Sequence, residues 1–356
     1  MLWRQEIIDM QATQYSDESN RYDAMYTKAK IDYSAANEYI QAHYNISQYF
    51  PHNNCIETIH NGRRLQESYH NEREMLKENG LAIVTSPMPT TPINYWSERD
   101  SIQQYYLPEL ENIIINRLFP EKIIHLSFWN PMMRGESLEL SSRHQDQLLL
   151  HTPTANIASL VHIDTDVGAY EKIQDVLAII DKNRVQNDSS VSPSNTFDDV
   201  ANAIVSGKKR FAILNFWRNI GETPVSRAPL SIYSSRYDDG DDVAFPDAAP
   251  NTECSKWYMF PNATRDEVIV FYQYDRERNQ PSDLWHCAIE LEENESDDFV
   301  HRRKSFDIRA FIVFDEEVSS HNDRFSPERS RPILSFEESG CFCDEQAAKR
   351  TQGEVE

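Results

Sequence analysis

The sequence predicts a mainly β protein: an antiparallel β-sandwich or jelly roll carrying a helical N-terminal layer. Two observations predict it. Between residues 122 and 315 the chain holds roughly eight short β-branched and aromatic runs separated by turn signals, and the helical patterns are concentrated before them. No internal repeat of solenoid period competes with this reading.

The chain has 356 residues, 39% of them hydrophobic, enough to bury a sizeable core in one large domain or two small ones. A formal net charge of -23 and a pI near 4.9 set up a field that repels phosphate backbones and anionic membrane surfaces, so neither nucleic acid nor membrane is an expected partner. Five cysteines (Cys55, Cys254, Cys287, Cys341, Cys343) form no C-x-x-C pair, and their odd number leaves one outside any full disulfide set. The start, Met1-Leu2-Trp3-Arg4-Gln5-Glu6, lacks a secretory apolar core, and no apolar run approaches the ~20 residues that span a bilayer. The expected setting is reducing and cytoplasmic.

Taken in order, residues 1–80 are rich in Gln, Asn, Glu, Tyr and Ala with few Gly or Pro, and read as helices or extended arms wrapped on a core. "GLAIVTSPMPTTP" (80–92) is a short strand closed by Pro-rich turns, and "SERDSIQQYYLPELENIIINRLFP" (97–120) an amphipathic helix with Ser97 as N-cap and Leu110, Ile113 and Leu118 on its apolar face. "KIIHLSFWNPMMR" (122–134) is strand-like, with His125, Ser127 and Trp129 alternating onto one face. A helix is expected over 171–185, followed by a polar loop over 186–199 expected to act as a lid. "KKRFAILNFWRNI" (208–220) and "APLSIYSS" (228–235) are strands, and in the first Asn215 shares a face with Ile213 and Trp217 and must find hydrogen bonds. "KWYMFPNATRDEVIVFYQYDRE" (256–277) is two strands joined by a turn at Pro261-Asn262, and "DLWHCAIE" (283–290) and "VHRRKSFDIRAFIVFDEE" (300–317) complete the set. The expected organisation is a helical extension over 1–80 packed on a core over 81–317, with an acidic tail over 318–356.

The chemistry is expected at Leu160-Val161-His162-Ile163-Asp164. In a strand His162 and Asp164 point to one face, while Val161 and Ile163 point to the other. An imidazole and a carboxylate so placed supply two ligands of a 2-His-1-carboxylate triad, which leaves open positions on Fe(II). The third ligand must come from far along the chain. His286 is the candidate, in an apolar β-run, whereas His151 sits in a turn-like segment and His301 beside a basic strand. An α-keto acid chelating such a metal would leave its distal carboxylate in a low-dielectric pocket, where a guanidinium with a neighbouring hydroxyl is the usual partner. Arg303 and Ser305 supply both on one strand face, with Asp307 and then Arg309 further along that face.

These residues together resemble the 2-oxoglutarate/Fe(II)-dependent dioxygenases of the asaB-type hydroxylase/desaturase family. The resemblance runs from about 80 to 315 and is carried by "NYWSERDSIQQYYLPELENII", "VHIDTDVGA", "NFWRNIGETPVSRAPLSIYSSR", "KWYMFPNATRDEVIVFYQYD" and "RKSFDIR". It implies a double-stranded β-helix (jelly roll), Fe(II) on His162, Asp164 and His286, and 2-oxoglutarate on Arg303 and Ser305 with Arg309 and Asn215 near the same co-substrate. It also implies O2 as oxidant and oxidation of an unactivated C–H bond of a small molecule in secondary metabolism, with hydroxylation, desaturation or oxidative ring closure of kainoid type as outcomes. The retained Asp164 separates the chain from halogenating relatives, which carry a small residue there. The sequence departs from the family at Trp285, where a Pro usually precedes the His, and in an acidic insertion over 293–299.

Arg134, Arg143, Arg218, Arg227 and Arg236 lie in or beside the β-runs, where buried cations need anionic partners. One or two of them facing the mouth would select a small, amino-acid-derived carboxylate. The rival reading is a non-catalytic jelly-roll binding protein.

Overall fold

The computed structural model describes residues 26–38, 53–88, 93–135, 154–164, 208–235, 255–275, 284–291 and 303–317. Two six-stranded sheets carry the fold. The first has the order β10(His286–Ala288)-β7(Leu230–Ser235)-β8(Ser255–Met259)-β2(Asn54–Asn61)-β1(Tyr26–Asp32)-β11(Glu290–Leu291). The second has the order β3(Leu81–Thr85)-β9(Glu267–Asp275)-β6(Lys209–Asn219)-β12(Lys304–Glu317)-β4(Ile123–Gly135)-β5(Thr154–Ala155). This is the jelly-roll architecture expected from the sequence.

The described part of residues 1–80 combines two strands of the first sheet with short helices, so the expected helices are joined there by sheet strands. Tyr26–Asp32 and Asn54–Asn61 are antiparallel neighbours inside the first sheet. The reason is a period-two pattern: Ala29 and Ile31 are buried between exposed Lys28 and Lys30. A short helical segment over 34–38 follows the first of these strands, and the further helical elements are α1(Gly62–Gln66), α2(Glu72–Asn79), α3(Ile93–Ser97), α4(Arg99–Ser101) and α5(Leu107–Ile113), with π-helical turns at Ile102–Tyr106 and Ile114–Leu118. Ser97 closes α3 rather than capping a longer helix, and Glu98 occupies the cap position of α4. Asn71 caps α2 through Glu74 N–H, and Gly80 ends it in the left-handed conformation at φ 80°.

The main core lies between these helices and one face of the second sheet. Leu110, Ile113 and Leu118 are buried as the helical spacing predicts, together with Trp96 and Tyr106, against Phe306, Ile308, Ala310, Ile312 and Phe314 of β12. The alternate residues of β12 turn the other way, into the space between the sheets.

Irregularities in the ladder decide what else turns inward. On β4, Met132 faces Asp307 but Trp129 faces Arg309, so the strand carries one extra residue there. Asn130 sits at φ 53° in that bulge, and Pro131 is tolerated because the ladder is already broken. Strict alternation would put Arg134 on the face opposite Trp129; the bulge brings it to the same side as Asp307 and Ser305. A second irregularity, between Ile213 and Leu214 of β6, leaves Gln273 of β9 without a register partner.

The turn at Pro261-Asn262 is present, with Asn262 at φ 51°, and it passes the chain from β8 in one sheet to β9 in the other. Arg63 locks this corner: its Nη1 lies 2.6 Å from Glu267 Oε1, and its Nε donates to Pro261 O at 2.8 Å. The expected helix over 171–185, the lid loop over 186–199, the insertion over 293–299 and the tail over 318–356 lie outside the described residues. Among the described residues no helix is long and apolar enough to cross a membrane.

Candidate metal centre

The His-x-Asp stretch is not a regular strand. Leu160 makes a parallel bridge to Asp32, and His162 an antiparallel bridge to His286. His162 N–H donates to His286 O at 3.1 Å, and His286 N–H to His162 O at 2.9 Å. Residues directly opposed in an antiparallel pair project to the same side, so these two short bonds suffice to bring the distant imidazoles together. Their ring centroids are 4.3 Å apart.

Each imidazole is held by the carbonyl two residues before it: His162 Nδ1 by Leu160 O at 2.8 Å, His286 Nδ1 by Leu284 O at 3.1 Å. A carbonyl only accepts, so each Nδ1 carries the proton and each Nε2 presents a lone pair. Nε2 of His162 is 3.8 Å from Asp164 Oδ1, and Nε2 of His286 is 3.5 Å from Oδ2. The three ligand atoms lie within 4.8 Å of one another. Cis ligands on a metal with bonds of about 2.1 Å stand about 3 Å apart, so each of the two imidazole–carboxylate contacts needs to close by less than an ångström. The donor set therefore fits a divalent ion, and it is the set predicted from the sequence.

Electrostatics keeps the donors in ligating form. Burial, reinforced by His286, pushes the His162 imidazole down to about 3, so it is neutral at physiological pH. Burial works to raise the Asp164 carboxyl, but Arg309, then His286 and His162, outweigh it and hold that group well below the usual carboxylate range. Arg309 Nη2 stands 2.6 Å from Asp164 Oδ1, and Asn215 Nδ2 donates to Oδ2 at 3.1 Å. Gln273 Oε1 accepts from the Asp164 backbone N–H at 3.3 Å. Sequence reasoning missed Gln273. The signal was the one that singled out Asn215, an amide inside the otherwise apolar run "EVIVFYQY".

A cleft opens over the triad, with Arg134, Asn215, Trp217, Phe271, Arg303 and Asp307 in its wall. Arg303 is buried and its guanidinium is fixed on several sides. Nε donates to Ser305 Oγ at 3.2 Å, Nη1 to Ala228 O at 2.5 Å, and the cation lies 5.0 Å from the Trp217 ring centre. Ala228 offers its carbonyl from the left-handed region, at φ 46°. The structure thus brings Arg303 and Ser305 together beside the metal cleft, and brings Arg309 and Asn215 to the Asp164 carboxylate.

Of the arginines flagged in the sequence, Arg218 is fully buried on Glu109 and Arg265 O, and its role is structural. Arg134 faces the cleft, with Nε 3.3 Å from Asp307 Oδ1 and Nη1 donating to Asn156 O. His151, His301, Arg143 and Arg236 lie outside the described residues.

Among solved structures the chain is similar to the iron and alpha-ketoglutarate-dependent endoperoxidase NvfI, with a TM-score of 0.53 and 17% identity over 82% of this chain and 98% of that one. A second structure of that enzyme, with a different conformation, gives a TM-score of 0.51 at 16% identity and the same coverage. At such identity the likeness is one of fold, and it matches the jelly roll described above. A search of curated proteins finds no match to the chain. The model of the family described as Oxidoreductase/YMDC permease-like domain matches residues 24–314, and the chain belongs to that family.

Proposed function

We propose that the protein is an Fe(II)- and 2-oxoglutarate-dependent oxygenase that oxidises an unactivated C–H bond of a small, amino-acid-derived carboxylate in secondary metabolism. The narrower placement in the asaB-type group and a cytoplasmic location belong to this proposal. The observation that carries it is the buried convergence of His162, Asp164 and His286 on a cleft whose wall also holds Arg303. His162, Asp164 and His286 would hold Fe(II), which with 2-oxoglutarate and O2 would supply the oxidising power at the cost of 2-oxoglutarate's conversion to succinate.

The chain's own residues bind, orient and exclude water. Arg303 and Ser305 receive the distal carboxylate of 2-oxoglutarate, and a guanidinium already held by Ala228 O and Trp217 loses little freedom in doing so. Arg309 and Asn215 orient Asp164 and compensate its charge. Burial of the His162, Asp164 and His286 side chains keeps bulk water from the donors. Hydroxylation, desaturation and ring closure share this first oxidation, and the pose of the substrate selects among them.

The test is succinate formation by the iron-loaded protein across a panel of amino-acid-derived acids. Succinate is expected in step with oxidised product and is lost in His162→Ala, Asp164→Ala and His286→Ala with folding retained. Wild-type turnover in His286→Ala would sink the assignment, and absence of 2-oxoglutarate binding would favour a binding protein on the same fold.

A further inference from the structure

We propose that Asp307 anchors the substrate, its Oδ1 accepting a hydrogen bond from an N–H or O–H group of that molecule, and that Arg134 is the residue that positions it. This deepens the oxygenase reading and rests on it.

Asp307 is 6% exposed, and it lies in the cleft wall with the triad. Its Oδ1 is buried and makes no hydrogen bond. Arg134 Nε stands 3.3 Å away, close enough to compensate charge, but its N–H is not aligned as a donor to that oxygen. A buried carboxylate oxygen in this condition is costly unless something else completes it. The cleft is the side from which a partner arrives.

The co-substrate does not meet this need. A 2-oxo dicarboxylate at neutral pH carries only acceptors, so it brings no proton to Asp307. Its partner on the wall is a guanidinium, whereas the partner of Asp307 must be a donor. The wall is therefore divided in kind: a guanidinium for the keto acid, a carboxyl oxygen for the other small molecule.

Position along β12 supports the division. Arg303, Ser305, Asp307 and Arg309 project from one face, in unbroken register with Asn219, Trp217 and Asn215 of β6 from Ser305 onward. At about 3.4 Å per residue, Asp307 lies about 7 Å along the strand from Ser305 and about 7 Å from Arg309, which touches the metal ligand Asp164. A donor held there sits a few bonds from a carbon placed at the metal. Arg134 reaches the same point only through the Asn130 bulge, which turns it inward beside Asp307.

An ammonium and a hydroxyl both supply the donor, and substitution separates them. The protein is loaded with Co(II) and 2-oxoglutarate under nitrogen and titrated with matched triplets. Each triplet is an α-amino acid, its 2-hydroxy acid and the acid lacking both groups, with aliphatic and aromatic side chains in the set. Binding is followed by the cobalt absorption spectrum and by calorimetry. At least one donor-bearing member is expected to bind wild type tenfold or more tighter than its donor-less partner. That advantage is expected to fall below twofold in Asp307→Leu, with Asp307→Ala in its place if leucine does not fold. Asp307→Asn keeps an acceptor oxygen and loses the charge, so it preserves the advantage of a hydroxyl and abolishes that of an ammonium. Equal binding within every triplet, no binding by any member, or an advantage that survives in Asp307→Leu overturns the proposal. Failure of wild type to take up Co(II) or 2-oxoglutarate overturns the oxygenase reading and this inference with it, whereas uptake without a donor advantage overturns the inference alone.

Discussion

Arg309 and Asp164 form a buried ion pair in which Nη2 stands 2.6 Å from Oδ1, so the carboxylate that a metal would use already has a fixed counter-charge. Removing one partner of such a pair leaves the other buried and uncompensated, at about 3–5 kcal/mol. Arg309→Ala is expected to lower the stability of the metal-free protein by that order. A divalent ion then supplies the missing charge, so the rise in melting temperature on adding Mn(II) is expected to be larger in Arg309→Ala than in wild type. An equal rise in both would mean that Arg309 does not act on Asp164.

Asn215 acts on the same carboxylate without charge, through its 3.1 Å hydrogen bond to Oδ2. Loss of a hydrogen bond that orients a ligand weakens metal binding by about 10–100-fold. Asn215→Leu is expected to show that loss in a competitive chelator titration, with only a small change in unfolding midpoint because leucine fills the inward position. Unchanged affinity would remove Asn215 from the site.

Much of this was legible in the sequence because alternation is a local rule. The Arg303-to-Arg309 face and the inward Asn215 follow from period two, and the helical burial of Leu110 and Ile113 from period 3.6, whereas His162 and Asp164 come together without the regular strand that alternation assumes. What alternation hides is any place where the ladder gains a residue. The Asn130-Pro131 bulge reverses the parity of β4, so Arg134 shares a face with Asp307 that counting from Trp129 denies it. An Asn-Pro step inside a strand pattern is the local trace of that event. Pairing across the sheets is not local at all: the mutual backbone bonds of His162 and His286 depend on two short segments meeting, and neither segment encodes the other. The strands at Tyr26–Asp32 and Asn54–Asn61 were readable in principle, since Ala29 and Ile31 alternate with lysines, but a polar, glycine-poor composition argues for helix as readily.

Ala228 occupies the left-handed region at φ 46° while its carbonyl receives Arg303 Nη1. A side chain there costs roughly 1 kcal/mol, and glycine adopts the conformation without that cost. Ala228→Gly is expected to hold or raise stability by up to about 1 kcal/mol, since the strain relieved exceeds the added chain entropy. Ala228→Val is expected to lower both stability and 2-oxoglutarate affinity, because a β-branched residue shifts the carbonyl off Arg303. Denaturant unfolding and anaerobic titration read the two effects separately; valine without effect on either would mean that the turn is not under strain.

The corner between the sheets gives a pH dependence remote from the metal. Burial works to raise the Glu267 carboxyl, but hydrogen bonds from Arg63 and Thr264 outweigh it and leave the group below its ordinary value of 4.5. A depressed folded-state pKa contributes stability that is present above the unfolded value and lost as pH falls through the folded value. Glu267→Gln is therefore expected to cost about 1–3 kcal/mol at pH 7, the range for hydrogen bonds to a charged group, and progressively less below pH 4.5. Urea unfolding of both proteins at neutral and acid pH measures the closing gap; a constant gap would mean that the carboxylate charge is not what holds the corner.

The last prediction separates the co-substrate's anchor from the metal's. Arg303 is restrained by Ser305 Oγ, by Ala228 O and by the face of Trp217, and none of these restraints involves His162, Asp164 or His286. If it receives the distal carboxylate of 2-oxoglutarate, Arg303→Ala leaves a buried anion without its partner, at about 2–5 kcal/mol of co-substrate affinity. Metal affinity stays within a few-fold of wild type. Arg303→Lys is expected to recover only part of the loss, because a point charge on a flexible stem reproduces neither the planar fork nor the stacking on Trp217. Trp217→Leu, which removes the stacking alone, is expected to cost about 0.5–2 kcal/mol. The ranking to be measured by anaerobic 2-oxoglutarate titration of Co(II)-loaded protein is thus wild type, Trp217→Leu, Arg303→Lys and Arg303→Ala, from tightest to weakest. Unchanged 2-oxoglutarate binding in Arg303→Ala would make Arg303 a structural residue of the β12 face and make Arg309 the candidate for the co-substrate's carboxylate.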